Sequence, residues 1–326
     1  MIERNYVKCA GEIFPIYKKH TWGIVLAGGD GNRLKNLVKK QYGYNRPKQY
    51  CTFIGTRSLI KHTLCRVLTF IPHEHLFTVI TKHHYQYAIE EIGDLLLNTT
   101  ITQPCARETS AGILLPMLKI NQIDPEAIVT IFPSDHFIKE ENYFMEYVQE
   151  ANLFVANNPD KIIMLGIQPD RTESGYGWIE PGSTVFYNGQ KIFKYVKRFW
   201  EKPNPDNAEI LLHKGCLWNT FVLVGRSSIF LKYMQDCIPE VFNAFEPIRL
   251  TIGTSKEKAV IEYMFKFVPA INFSKSVLEM IPQHLLVLEV SDIYWSDWGD
   301  ENRIRNDLDK LNLFMIDSIA SDKCFI

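Results

Sequence analysis

Short apolar runs alternate with stretches of helical spacing through the first half of the chain, and this alternation limits the fold more than any other feature. Residues 22–27 are apolar and end at Gly28 and Gly29. Residues 58–70 then place apolar side chains at 59, 60, 64, 67 and 68, close to the helical period. A second strand is expected at 76–81, a second helix at 85–97 and a further buried strand at 128–132. The set 143, 144, 147, 148, 151, 154 and 155 repeats at three and four, as an amphipathic helix does. Strands separated by helices form βαβ units, so a mostly parallel sheet covered by helices on both faces is predicted. Ligands of such sheets bind beyond the carboxyl ends of the strands.

From residue 175 to 225 the pattern changes to strand-like pieces at 176–179, 191–200 and 217–224. Turn signals at Pro181-Gly182 and Asn188-Gly189 separate them, which predicts a small antiparallel lobe. Asn204 and Pro205 open a helix in the N-cap and N1 positions and Gly215 closes it. Further helices are expected at 227–237, 256–267 and about 302–311.

The chain has 326 residues, enough for one sizeable α/β domain or two small ones. Its 36 Lys and Arg nearly balance 37 Asp and Glu, a net charge of −1 that provides no global attraction to nucleic acid or an anionic membrane. No apolar run approaches the ~20 residues of a membrane span, so no membrane association is expected. The first twenty residues lack an apolar core, and the seven cysteines show no C-x-x-C spacing. A cytoplasmic protein without a secretory signal is therefore expected. The aromatic content of 13% permits a homodimer interface without locating one.

The segment from Leu26 through Ala27, Gly28, Gly29 and Gly31 to Leu34 follows a strand and precedes a basic stretch. Glycines let backbone N–H groups approach phosphate oxygens, although a plain tight turn explains such a loop equally well. Leu34 stands where a dinucleotide fingerprint wants its third glycine, which disfavours a Rossmann dehydrogenase, and no Walker sequence is present. Residues 31–48 hold Arg33, Lys35, Lys39, Lys40, Arg46 and Lys48 and no acid. A solvated basic face is one reading. The other is a triphosphate site, with Arg33 and Lys48 as the chosen contacts.

Asp135 ends the apolar run at 128–132, and Asp297 lies between two tryptophans in Trp295-Ser-Asp-Trp-Gly. In isolation the first reads as a helix N-cap and the second as a turn former. If both reach one site they suit Mg²⁺, which takes one or two carboxylates, waters and substrate phosphates. Histidine and cysteine spacings for structural zinc are absent.

Together, the Gly-Gly-x-Gly-x-Arg-Leu loop at 28–34, the Arg-Pro-Lys-Gln block at 46–49 and the Pro-Ser-Asp-His block at 133–136 resemble the sugar-1-phosphate nucleotidylyltransferases. The guanylyltransferases acting on mannose 1-phosphate are the most similar branch. Blocks at 107–111, 175–179, 199–203, 217–220 and 295–299 follow in that family's order, so the resemblance spans nearly the whole chain. It implies a Rossmann-like three-layer α/β/α fold with a mixed, mostly parallel sheet and a small antiparallel sugar-binding lobe. The domain would occupy residues 21–300, with an extension at 1–20 and a helical tail at 301–326 packed on it. The tail shows no hexapeptide repeat, so the β-helix of longer relatives is not expected.

The implied reaction joins an NTP, with GTP favoured, to a sugar 1-phosphate, with mannose 1-phosphate favoured, releasing pyrophosphate. By the same resemblance the glycine loop, Arg33 and Lys48 hold the triphosphate and Asp135 and Asp297 hold Mg²⁺. Glu201 accepts from sugar hydroxyls, Lys202 holds the sugar phosphate, and Gly177 and Asn219 line the sugar pocket. Alternatives are another NTP and sugar pair, or a catalytically weak homologue that binds a nucleotide sugar and regulates a partner. The family's Ser-Ile-Asp-x-x-Val-Met-Glu-Lys-like block motivates the last, because here Ser274 stands in place of the aspartate and Met280 in place of the lysine. Asp30 is a further departure, an acid in a loop expected to meet phosphates.

Overall fold

A computed structural model describes residues 18–188 and 191–315. The expected extension at 1–20 lies almost wholly outside the described residues, as do Gly189 and the end of the tail. Eleven strands are described: β1 Thr21–Leu26, β2 Leu76–Thr81, β3 Thr100–Gln103, β4 Ile128–Pro133, β5 Phe137–Ile138, β6 Ile162–Ile167, β7 Gly177–Asn188, β8 Lys191–Glu201, β9 Leu217–Arg226, β10 Leu285–Val290 and β11 Trp295–Ser296. Nine of them form one mixed sheet in the order β3-β2-β1-β4-β9-β6-β10-β8-β7, and β7 also pairs with the start of β9. β1 to β4 pair in parallel, as expected from the alternation, and so do β6 and β10. β9 runs antiparallel between β4 and β6. The expected antiparallel lobe is the β7–β8 hairpin, which extends the same sheet.

Side chains alternate across the sheet, so β1 supplies both faces: Val25 packs on one side, Trp22 and Ile24 on the other. The Val25 face is covered by helices that include Leu59–Val67 and Glu141–Asn157. Glu108–Ile123 and Ser227–Cys237 cover the opposite face, completing the three layers. Each fully buried aliphatic side chain in these layers contributes roughly 1.5–3 kcal/mol relative to exposure. A third apolar cluster joins Leu34, Leu37 and Val38 to Trp298, Ile304 and Leu308, and thus ties the glycine-loop region to the helix Glu301–Leu311.

The helix expected at 85–97 is broken, into Tyr85–Ile92 and Asp94–Leu97, because Gly93 adopts a φ of 79°. The helix at 204–215 forms as predicted: the Asn204 side chain accepts from the Asn207 N–H at 2.8 Å, and Pro205 begins the first turn. No helix among the described residues is long and apolar enough to cross a membrane.

Candidate active site

Parallel strands deliver their following loops to one edge of the sheet, and here β1, β4 and the long β7–β8–β9 group open a cleft of about 660 Å³. One wall carries Leu26, Gly28, Gly29, Gly31, Arg33, Lys48, Asp135 and Asp297. The facing wall carries Gly177, Glu201, Lys202 and Asn219. Residues from position 26 to position 297 are thereby brought together. Ala27 is the exception among the expected site residues, since it is buried in the core and does not line the cleft. Its carbonyl accepts from the Gln49 amide at 2.8 Å, and the same amide also reaches Gly29 O at 2.9 Å. Gln49 thus fixes the loop from behind.

Gly31 has a φ of +62°, and a Cβ there would lie 2.7 Å from Lys48 Cβ. Only glycine allows the loop to lie against that lysine. Lys48 is buried along its stem, and its Nζ donates to Asp135 Oδ2 at 3.0 Å and to the Asp297 carbonyl. The two aspartates meet because β11 pairs with β5 in a two-residue ladder, Trp295 opposite Ile138 and Ser296 opposite Phe137. Phe137 and Trp298 stack at 4.5 Å and 3°, which holds the turn after Asp297. Asp135 is not the N-cap that its isolated context suggests. β5 intervenes, and the following helix begins at Glu141.

Asp297 Oδ1 accepts from Tyr176 Oη at 3.0 Å, from the Gly299 N–H at 2.8 Å and from Arg303. It is therefore a turn former as well as a cleft residue. Arg303 is itself held by Glu173 at 2.6 Å. Burial pushes the Asp135 and Asp297 carboxyls up, but their neighbours outweigh it and hold both below the usual carboxylate range: the Lys48 ammonium foremost at Asp135, and Lys48 and then Arg303 at Asp297. Both are ionised at neutral pH. His136 stays below the ordinary imidazole range because it is buried, despite Asp135 at 3.8 Å.

Arg33 and Lys48 differ in placement. Arg33 is exposed at the rim, 3.8 Å from Asp297 Oδ2, too far for a direct hydrogen bond. The other basic residues of 31–48 do not join them. Lys35, Lys39 and Lys40 face solvent, whereas Arg46 pairs with Glu90 and Glu91 at 2.8 and 2.7 Å. The expectation of six uncompensated cations therefore reduces to two at the cleft. Asp30 turns its carboxylate onto His83 and His84, at 2.8 and 3.1 Å, rather than toward Lys48.

On the facing wall, a Cβ on Gly177 would meet the Phe199 ring at 2.8 Å. Asn219 Oδ1 accepts from the Phe221 N–H at 3.0 Å. Lys202 is exposed, has a φ of 49° and lies 3.9 Å from Glu201 through its ammonium group. Glu108, Lys202 and Phe221 all line the cleft with positive φ, a strain of the kind that surrounding structure must hold in place. Burial pushes the Glu201 carboxyl up, and Glu279 adds to this against Lys202 and a hydrogen bond from Ser274. Ser274 lies in the cleft wall, whereas Met280 is exposed and outside it.

Sequence reasoning does not single out Gln49, Tyr176 or Arg303. Gln49 and Tyr176 fall inside the motif blocks, so position within a motif is the available signal. Arg303 has none beyond its charge.

A family model described as "Nucleotidyl transferase" matches residues 22–311. The chain is 30% identical over 292 residues to "Mannose-1-phosphate guanylyltransferase 2" of Escherichia coli O157:H7, covering 85% of this chain and 57% of that protein. It is 27% identical over 282 residues to a "Mannose-1-phosphate guanylyltransferase" of Salmonella muenchen, with the same coverage. The chain thus spans little more than half the length of these relatives. Among solved structures, one described as a mannose-1-phosphate geranyltransferase from Thermus thermophilus superposes with a TM-score of 0.72 at 23% identity, over 86% of this chain and 76% of that one, and supports the fold.

Proposed function

The chain belongs to the nucleotidyl transferase family, and we propose that it transfers a nucleotidyl group from GTP to mannose 1-phosphate, giving GDP-mannose and pyrophosphate. The observation that carries this reading is one cleft in which a glycine loop, a buried lysine and two ionised aspartates are brought together with Gly177, Glu201, Lys202 and Asn219. The names of the relatives support the choice of base and sugar.

The nucleophile is a phosphate oxygen already ionised near neutral pH, so the reaction requires no general base. Positioning and charge neutralisation at the α-phosphate suffice. In this reading the glycine loop and Lys48 receive the triphosphate, with Arg33 closing over it from the rim. Lys202 receives the sugar phosphate, Glu201 accepts from sugar hydroxyls, and Gly177 and Asn219 bound the sugar. Gly177 lets the Phe199 ring pack directly against the backbone there, an approach that a Cβ would prevent.

The donor chemistry of Asp135 and Asp297 fits Mg²⁺. Both offer carboxylate oxygens, and Asp135 Oδ1 and Asp297 Oδ2 lie 3.8 Å from His136 and Arg33 respectively, beyond direct hydrogen bonding. A magnesium ion held there would supply charge neutralisation to the phosphates. His136 acts behind Asp135 as its buried neighbour.

The test is a matrix of the common NTPs against several sugar 1-phosphates, scored by pyrophosphate release. GTP with mannose 1-phosphate is expected to be fastest. A different best pair would change the assigned specificity, and no turnover for any pair would overturn the enzyme reading.

A further inference from the structure

We propose that Asp30, His83 and His84 form a binding site for a divalent metal of the zinc class, separate from the Asp135 and Asp297 pair. Asp30 belongs to the glycine loop, and the histidines lie in the short turn Lys82–His84 that follows β2. His83 Nε2 and His84 Nε2 approach the same oxygen, Asp30 Oδ1, and one donor atom from each residue falls within 4.8 Å of the others.

The hydrogen bonds behind the cluster decide how His84 is presented. Thr81 has one hydroxyl proton, and it donates to Gly28 O at 3.1 Å. Its 2.9 Å contact with His84 Nδ1 is therefore made by an Nδ1–H donating to Thr81 Oγ1. In the neutral ring, the form that burial of His84 favours, Nε2 then carries the lone pair, and it points at a carboxylate oxygen 3.1 Å away. Two acceptors face one another, an arrangement that a cation between them converts into two ligand bonds. A metal-bound histidine commonly donates its other N–H to a protein acceptor, the part played here by Thr81.

The site is also preorganised and open. His84 is buried against the edge of Tyr50, whereas His83 and Asp30 are exposed, which gives an ion a path in. Two imidazoles with one carboxylate suit zinc and its neighbours in the first transition row. Magnesium prefers an all-oxygen set. Three protein ligands leave a position for water. An ion bound here would neutralise the acid in the glycine loop and tie that loop to the end of β2.

The experiment uses the full chain stripped of metal, in excess Mg²⁺. Zn²⁺ is titrated by calorimetry, and Co²⁺ by its visible absorption, which also distinguishes nitrogen and oxygen ligands from cysteine sulfur. One equivalent is expected to bind without a sulfur-to-metal band. Asp30→Asn and the exposed His83→Ala should each weaken it by about tenfold or more, while Cys65→Ser leaves it unchanged. No stoichiometric binding to the parent, a thiolate spectrum, or equal affinity in Asp30→Asn and His83→Ala would overturn the proposal. None of these readouts depends on nucleotidyl transfer.

Discussion

Lys48 and Glu201 face each other across the cleft with opposite electrostatic histories. Lys48 is the buried cation between two ionised aspartates. Lys48→Met keeps the stem packed beside Gly31 but removes a charge-assisted contact worth ~1.5–3 kcal/mol. Turnover should fall roughly 10- to 100-fold if that contact tightens at the transition state, and an unchanged kcat would remove Lys48 from phosphate binding. Glu201 is held above its ordinary value of 4.5 by burial. The folded chain therefore keeps a proton that the unfolded chain has released, and stability falls as pH rises from 4.5 through the folded value. Glu201→Gln abolishes that cost. Its denaturation midpoint should exceed the parent's at pH 7 and converge with it below about pH 4, while turnover drops. Parallel midpoint curves across this range would mean that burial does not penalise the charge. Ser274 bears on the same point: beside Glu201 its hydroxyl lowers the carboxyl, where an aspartate would add a third acid to Glu201 and Glu279.

The 3₁₀ turn Asn32–Leu34 is capped by Gly31 in the left-handed region. Gly31→Ala should cost ~1–2 kcal/mol for that conformation alone, and the methyl group would also displace Lys48. Urea titration is expected to show a lower midpoint at unchanged slope, together with slower turnover. Stability equal to the parent's would show that the loop can rearrange freely. This turn is legible in the sequence because its glycines and the preceding strand are contiguous. The helix Glu108–Ile123 is not, since Ser110 to Leu118 is buried continuously and Pro116 sits inside it, so no amphipathic stripe marks it. β10 is hidden for a related reason: its burial is nearly continuous, and a short apolar run carries no period that separates strand from helix. Within the site, Asp135 and Asp297 can be named from their motifs. What cannot be read is the β5–β11 ladder that joins them or the reach of Arg303 to Glu173, because a long-range pairing leaves no local periodicity.

A net charge of −1 conceals a molecule whose ion pairs are strongly partitioned. Several carboxyls lie below their ordinary values because cations hold them in the fold: Lys48 for Asp135 and Asp297, His62 and Arg66 for Glu141, Lys310 and Arg171 for Asp170, each against an opposing cost of burial. Such groups are stabilising above their unfolded values, 3.8 for aspartate and 4.5 for glutamate, and the contribution is lost as pH falls through the folded values. These sites join different parts of the fold. Glu141 connects the start of its helix to Arg66 and His62, Asp297 connects the turn after β11 to Arg303, and Asp170 connects the region after β6 to Lys310 near the C-terminal helix end. Protonating them removes ties between elements rather than within one. The stability of the whole chain, measured by denaturant titration from about pH 7 to about pH 3, should begin to fall below about pH 6.5, where the unfolded chain protonates histidines such as His84 and His136 that burial keeps neutral in the fold, and should fall most steeply below about pH 4. Asp297→Asn removes one of these contributions and should flatten the acid limb, because the amide has no proton to gain. It should also raise the Mg²⁺ concentration needed for turnover. An acid limb that overlays the parent's would place Asp297 outside the set of carboxylates that tie the elements together.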